Sequence, residues 1–159
     1  LLREVRLRAL ADAPVAFGST LAVARELTDD EWRARARGRD GAAGLILLAL
    51  ADDEHPVAMG GVLAPPPPPT DRTAWIWGMW TAPEARGRGT GGELLDRLVA
   101  WCRADSLPGA YDDVRLHVTE GNAGARELYV GRGFAPTGTW EELRPGSPLR
   151  IEELSLPLR

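Results

Sequence analysis

The chain contains no lysine: all 19 of its basic residues are arginine. That excludes a P-loop, which requires Gly-Lys-Ser/Thr, and any Schiff-base lysine. Cysteine is nearly absent too. The single Cys102 excludes an internal disulfide and a cysteine-cluster zinc site, and no metal is expected. No apolar run approaches the roughly 18 residues of a membrane span, and no signal-peptide pattern precedes the first helix. The net charge of −4 lacks the basic excess of a general nucleic-acid binder. The expectation is a soluble, cytoplasmic domain with neither nucleic acid nor membrane as partner. Leu1 stands inside a helical pattern without an initiator methionine, so residues are expected to precede it.

What is present suits one globular domain over residues 1–159. Hydrophobic residues make up 44% of the chain and charged residues 26%. A domain of this size buries roughly 68–70% of the surface its unfolded chain exposes. Leu2, Val5 and Ala9 share one helical face, and Ala13-Pro14 ends that helix. Phe17 to Thr20 reads as a loop or the start of a second short helix. Thr28 and Glu31 have capping-box spacing, predicting a helix to about Arg37. Gly44–Ala51 is a continuous apolar run, expected of a strand covered on both faces. Val57–Leu63 is its hairpin partner, and the run Pro65–Pro69 reads as an exposed polyproline-II loop.

Thr73–Thr81 is the third strand. Strict alternation puts Trp75 and Trp77 on one face and Trp80 on the other. After the glycine-rich turn, Leu94, Leu95, Leu98, Trp101 and Cys102 form one buried helical stripe, where Cys102 is inert packing. Pro108-Gly109 closes that segment. A strand over Val114–Thr119, a helix from Asn122 to about Val130 and a final strand pair, Thr137–Leu143 and Leu149–Leu158, complete an α/β domain with a mixed sheet.

The chemistry concentrates in Arg86-Gly87-Arg88-Gly89-Thr90-Gly91-Gly92, between a strand and a helix. Glycines let the backbone turn with its N–H groups converging, and the helix start adds about half a positive charge. Such a turn suits a pyrophosphate, and Arg86 and Arg88 add charge at its rim. Gly87, Gly89 and Gly92 also satisfy Gly-x-Gly-x-x-Gly, with Asp112 and Asp113 placed for a ribose contact. Topology speaks against a dinucleotide site: Pro83 to Arg86 intervene after the strand, and the two aspartates precede the next strand instead of ending it.

The segment Met79 to Gly91 resembles the acetyl-CoA signature of the GNAT N-acetyltransferase superfamily, Arg/Gln-x-x-Gly-x-Gly/Ala, met by Arg86, Gly89 and Gly91. A second signature is similar over Asn122 to Tyr129, followed by Gly133-Phe134. The resemblance implies the GNAT fold: α/β (α+β), a mixed central sheet with splayed fourth and fifth strands flanked by helices, the usual first strand missing. It implies acetyl-CoA in the cleft between Thr73–Thr81 and Val114–Thr119. Pantetheine would pair with Met79, Trp80 and Thr81, and pyrophosphate with amides of Arg86, Gly87, Arg88, Gly89, Thr90, Gly91 and Gly92. An amine acceptor, small molecule or peptide, then attacks the acetyl carbonyl directly.

Tyr129 is the candidate general acid. It follows Asn122 by about 700° of helix, so both side chains face the same way. Asn122 caps that helix or contacts CoA. A backbone N–H near Met79–Trp80 is the expected oxyanion donor. Where some relatives carry a catalytic glutamate, this chain has Trp75, which accepts no proton. His117 and Glu120 are the substitutes, and the base stays unassigned. An acyl-CoA-binding or sensing module with little turnover is the alternative reading. The sequence leaves monomer and homodimer both open.

Overall fold

The computed structural model describes residues 1–38, 43–64, 72–104 and 111–159. The proline run Pro65–Pro69 and the Pro108-Gly109 turn lie outside them. Three helices come first: α1 (Leu2–Asp12), α2 (Leu21–Glu26) and α3 (Asp29–Arg37). Both halves of the α3 capping box form, with Thr28 accepting from the Glu31 amide and Glu31 from the Thr28 amide. The strands β1 (Ala43–Leu50), β2 (Pro56–Ala64) and β3 (Thr73–Thr81) follow, then a 3-10 turn (Pro83–Ala85) and α4 (Thr90–Arg103). The chain continues through β4 (Asp113–Thr119), α5 (Ala123–Val130), β5 (Ala135–Glu142) and β6 (Arg150–Pro157). This is the order the sequence predicts, with α2 formed just beyond the Phe17–Thr20 segment.

The six strands make one sheet in the order β1-β2-β3-β4-β6-β5. Every neighbouring pair is antiparallel except β3 with β4. One face packs against α4 and α5 through Ile76, Leu95, Leu98, Leu116, Tyr129 and Leu154. The other packs against α1 to α3 through Val5, Ala9, Trp32, Met59 and Trp80. Although β1 is an edge strand, its apolar run serves both faces: Leu45 and Leu47 meet the first core, Leu48 and Ala49 the second. No helix among the described residues is long and apolar enough to cross a membrane.

Two features of β3 shape the middle of the sheet. The parallel register with β4 covers only Thr73↔Asp113, Ala74↔Val114 and Trp75↔Arg115. Asp113 fastens this closed end, accepting from Thr73 Oγ1 at 2.8 Å, Arg115 Nε at 2.6 Å and Ser155 Oγ at 2.9 Å. Burial raises the Asp113 carboxyl, but those hydrogen bonds outweigh it and hold the group below its ordinary range. Beyond Trp75 the strands part, as expected of the splayed pair.

The second feature is a bulge. Met59 faces Trp80 and Gly61 faces Trp77, so Gly78 and Met79 together oppose Gly60. Gly78 has φ +67, a left-handed conformation that glycine adopts without cost. The extra residue inverts the alternation. Trp80 therefore joins Trp75 and Trp77 on the α1–α3 side, while Met79 packs toward α4. The expectation that Trp80 faces away from the other two tryptophans is corrected by this bulge.

The core also stores a sensitivity to alkali. Burial pushes the Cys102 thiol from 9.0 up to about 11 and the Tyr129 hydroxyl from 10.0 up to about 12. Each group holds its proton more tightly folded than unfolded, so the unfolded chain releases protons first as pH rises. The associated stability is complete below pH 9 and is lost between about 9 and 12, on the order of 2 kcal/mol per group. Urea unfolding at pH 8, 10 and 11.5 is expected to show the fall. Cys102→Val is expected to remove the earlier part and Tyr129→Phe the later part.

Candidate active site

The turn between β3 and α4 is built from left-handed glycines. Gly87 has φ +72 and Gly89, the N-cap of α4, has φ +84. The first helical bond of α4 runs from the Glu93 amide to the Gly89 carbonyl. The amides of Thr90, Gly91 and Gly92 thus belong to the helix start, where no carbonyl within the helix reaches them. No side chain caps this end. Among the described residues no turn or cap hydrogen bond takes up any amide from Gly87 to Gly92. A row of unpaired donors at the positive end of a helix is the donor set a pyrophosphate accepts.

The other two glycines are small for a different reason. A side chain at Gly91 would come within 3.0 Å of Thr81 Oγ1 and 3.8 Å of Leu128 Cδ2. One at Gly92 would collide with the Arg132 guanidinium, which is itself held to Asp96 by a 2.8 Å ion pair. Close approach of this kind brings β3, the start of α4 and α5 together, so the two sequence signatures meet in space. Arg132 is a cation that sequence reading missed, because it looks like an ordinary helix exit.

The two expected rim arginines part company. Arg86 turns back, donating from Nε to the Thr81 carbonyl at 3.0 Å and pairing with Asp12 of α1. Asp12 also accepts from Trp80 Nε1 at 2.9 Å. Arg86 thereby pins the turn and the end of β3 to α1. Arg88 makes no ion pair among the described residues and is the cation the turn presents.

Within β3, Gly78 and Met79 are out of register with β2, and β4 has already diverged. The backbone near Met79–Trp80 is where the sequence places an oxyanion donor. On the opposite side of the gap, Asn122 accepts from the Ala125 amide at 3.3 Å and so caps α5. Tyr129, near the end of that helix, is 5% exposed and lies tilted on Phe134 with ring centroids 6.2 Å apart.

Of the two candidate bases, Glu120 is engaged at the rim, accepting from the Arg150 amide at 3.0 Å. His117 stands on the open stretch of β4, stacked on Trp75 at 5.1 Å. Its Nε2 is buried without a hydrogen-bond partner, 4.0 Å from Glu153 Oε2. On this same side, between α1, α3 and the first three strands, opens a cleft of about 760 Å³. Trp75 and Trp77 lie in its wall together with Arg6, Trp32 and Arg35.

Solved structures share this fold. The protein smu.2055 of Streptococcus mutans UA159 superposes with a TM-score of 0.74 at 18% identity, covering 100% of this chain and 96% of the other. A spermidine N-acetyltransferase of Vibrio cholerae, in complex with CoA and spermine, gives 0.73 at 16% identity over 99% of this chain and 89% of that one. An acetyltransferase of the GNAT family from Staphylococcus aureus Mu50 gives 0.69 at 14%, over 99% and 93%. No curated protein sequence matches the chain. The family model for GNAT acetyltransferases matches residues 9–134. Since that match runs from α1 through the glycine turn and α5 and takes in most of the sequence, the chain belongs to the GNAT acetyltransferase family.

Proposed function

We propose that the chain is an acetyl-CoA-dependent N-acetyltransferase that acetylates a primary amine by direct attack in a ternary complex. The observation that carries this reading is the row of amides from Gly87 to Gly92 that no turn or cap hydrogen bond takes up among the described residues, opening beside a bulged strand that splays from its neighbour. Bound acetyl-CoA supplies an activated acetyl group: the amine attacks the carbonyl carbon, the C–N bond forms and the C–S bond breaks, the amine gives up one proton to a base, and CoA leaves as the thiolate, which then takes a proton from water.

The chain's residues divide the remaining work. Amides of Gly87 to Gly92 and the Arg88 guanidinium hold the phosphates, while the backbone at Met79 to Thr81 aligns the arm. The amide near Met79–Trp80 donates to the developing oxyanion, an effect worth roughly 2.7–4 kcal/mol in comparable sites. His117 takes the amine's proton, being the titratable side chain on the open part of β4 with a ring nitrogen unengaged. Tyr129 serves the leaving sulfur. At about 12 its hydroxyl keeps its proton at any working pH. Complete transfer to a thiolate, whose acid lies near 8.5, is uphill by about 5 kcal/mol. Tyr129 therefore acts as a hydrogen-bond donor that strengthens as charge builds on sulfur.

The second reading, an acyl-CoA sensor, draws on Trp75, which stands where some relatives carry a carboxylate. Release of CoA thiol with a panel of amines separates the two. Turnover that depends on the acceptor is expected. Tight CoA binding by calorimetry with no amine-dependent thiol release would establish the sensor instead.

A further inference from the structure

Four buried side-chain polar atoms among the described residues lack a hydrogen-bond partner: Arg6 Nη1, Trp32 Nε1, His117 Nε2 and Thr119 Oγ1. Orphaned buried donors are rare enough in folded proteins to need an explanation. Two of the four, Arg6 and Trp32, belong to residues lining the same cleft, and both atoms can only donate.

The charge of that cleft has the same sense. Arg6, Arg35 and Arg37 line it with Glu31 as the acid, opposite in sign to the chain as a whole. Glu31 is already committed, accepting from the Thr28 amide at 2.7 Å and the Thr28 hydroxyl at 2.8 Å. Arg6 is stacked over Phe17 at 4.6 Å and Arg35 over Trp32 at 5.9 Å; the Arg35 charge also reaches the Glu31 carboxylate, whereas Arg6 makes no ion pair among the described residues. Burial, with a smaller contribution from the Arg35 charge, lowers Arg6 from 12.5 to about 10. It remains a cation at neutral pH, one that no carboxylate among the described residues pairs with.

Arg6 is also close to the chemistry. Its Nη1 lies 3.6 Å from where a side chain at Gly78 would begin, at the bulge that precedes Met79. From these observations we infer that the cleft takes an acceptor bearing a carboxylate near its amine, the carboxylate pairing with the Arg6 guanidinium while Arg35 adds charge to the same wall. The substrate class is then a free amino acid, with its substituent against the Trp75 and Trp77 wall. A protein N-terminus has no carboxylate there, and a polyamine would bring more positive charge into a cleft already rich in it. Arg6 is a specificity-determining residue under this assignment. The inference rests on the transferase reading for its acceptor language, but the anion subsite itself can be tested without turnover.

The first measurement compares leucine and phenylalanine with their primary amides and with spermidine, following CoA thiol release. The acids are expected to exceed the amides in kcat/KM by at least about tenfold. Arg6→Gln is expected to raise KM for the acids about tenfold, and Arg6→Lys to restore part of the loss. The second measurement titrates N-acetyl-leucine and N-acetyl-phenylalanine, against their amides, while reading tryptophan fluorescence of the cleft. Saturable quenching by the acids alone, lost in Arg6→Gln and weakened in Arg35→Gln, supports the subsite. Circular dichroism checks that each variant is folded. Equal or better use of amides or spermidine overturns the inference while leaving the transferase intact, as does an acid preference that survives Arg6→Gln. Acid-specific quenching with no acceptor acetylated supports the subsite and removes the transferase reading. Absence of both quenching and acid preference overturns the subsite.

Discussion

The double variant Gly87→Val/Gly89→Val is expected to bind CoA roughly 30- to several-hundred-fold more weakly than the natural chain. Nothing lies within 4 Å of a side chain built at either position, so the loss has no steric origin. It comes from backbone conformation. The two residues hold φ +72 and +84, and a left-handed backbone costs an ordinary residue about 1–2 kcal/mol. The variant escapes that cost by letting the turn relax, which swings the amides from Gly87 to Gly92 out of convergence. Two such costs, at 1.4 kcal/mol per factor of ten, give the stated range. Because the turn is exposed and outside both cores, thermal unfolding is expected to move by only a few degrees. Calorimetric titration with CoA checks the result. Binding within about threefold of the natural chain would mean that these amides do not hold the phosphates, and the proposed function would fall with them.

The glycine turn was legible for the reason that makes it testable. A residue forced into left-handed backbone, or pressed against a neighbour as Gly91 is against Thr81, leaves its mark as glycine at that one position. The capping box at Thr28 and Glu31, the Asn122 cap and the stripe along α4 are local in the same way, since each is decided by residues a turn or two apart. The bulge in β3 was not. Its place depends on how Met59, Gly60 and Gly61 of another strand meet Trp77 and Trp80, and alternation along β3 alone assigns Trp80 to the wrong face. Long-range side-chain partners were equally hidden. Asp12 holds Trp80 and Arg86 across most of the first half of the chain. Arg6, which is not among the residues Leu2, Val5 and Ala9 that share the apolar face of its helix, lies half-buried over Phe17 with its Nη1 enclosed. Sequence spacing marks where phosphate would be held. The residues inferred to choose the acceptor lie on separate elements, and only the fold brings them to one cleft.

Replacing Tyr129 with phenylalanine is expected to lower kcat about 10- to 100-fold. The ring stays packed against Phe134, so the variant deletes one hydroxyl from a buried site and little else. CoA affinity and unfolding at pH 7.5 are expected to change slightly. The size follows from the role. A hydrogen bond to a group that is becoming charged is worth about 1.5–3 kcal/mol, less than the best general acids provide. The pH dependence separates the two roles. A donor whose proton is held to about 12 by burial is fully protonated at every pH from 6.5 to 9, so the ratio of natural to variant kcat stays constant over that interval. A tyrosine that ionised within it would make the ratio shrink as the natural enzyme lost its proton. Loss of less than about threefold in kcat at all pH values would return Tyr129 to the core as a packing residue. The leaving sulfur would then need another donor.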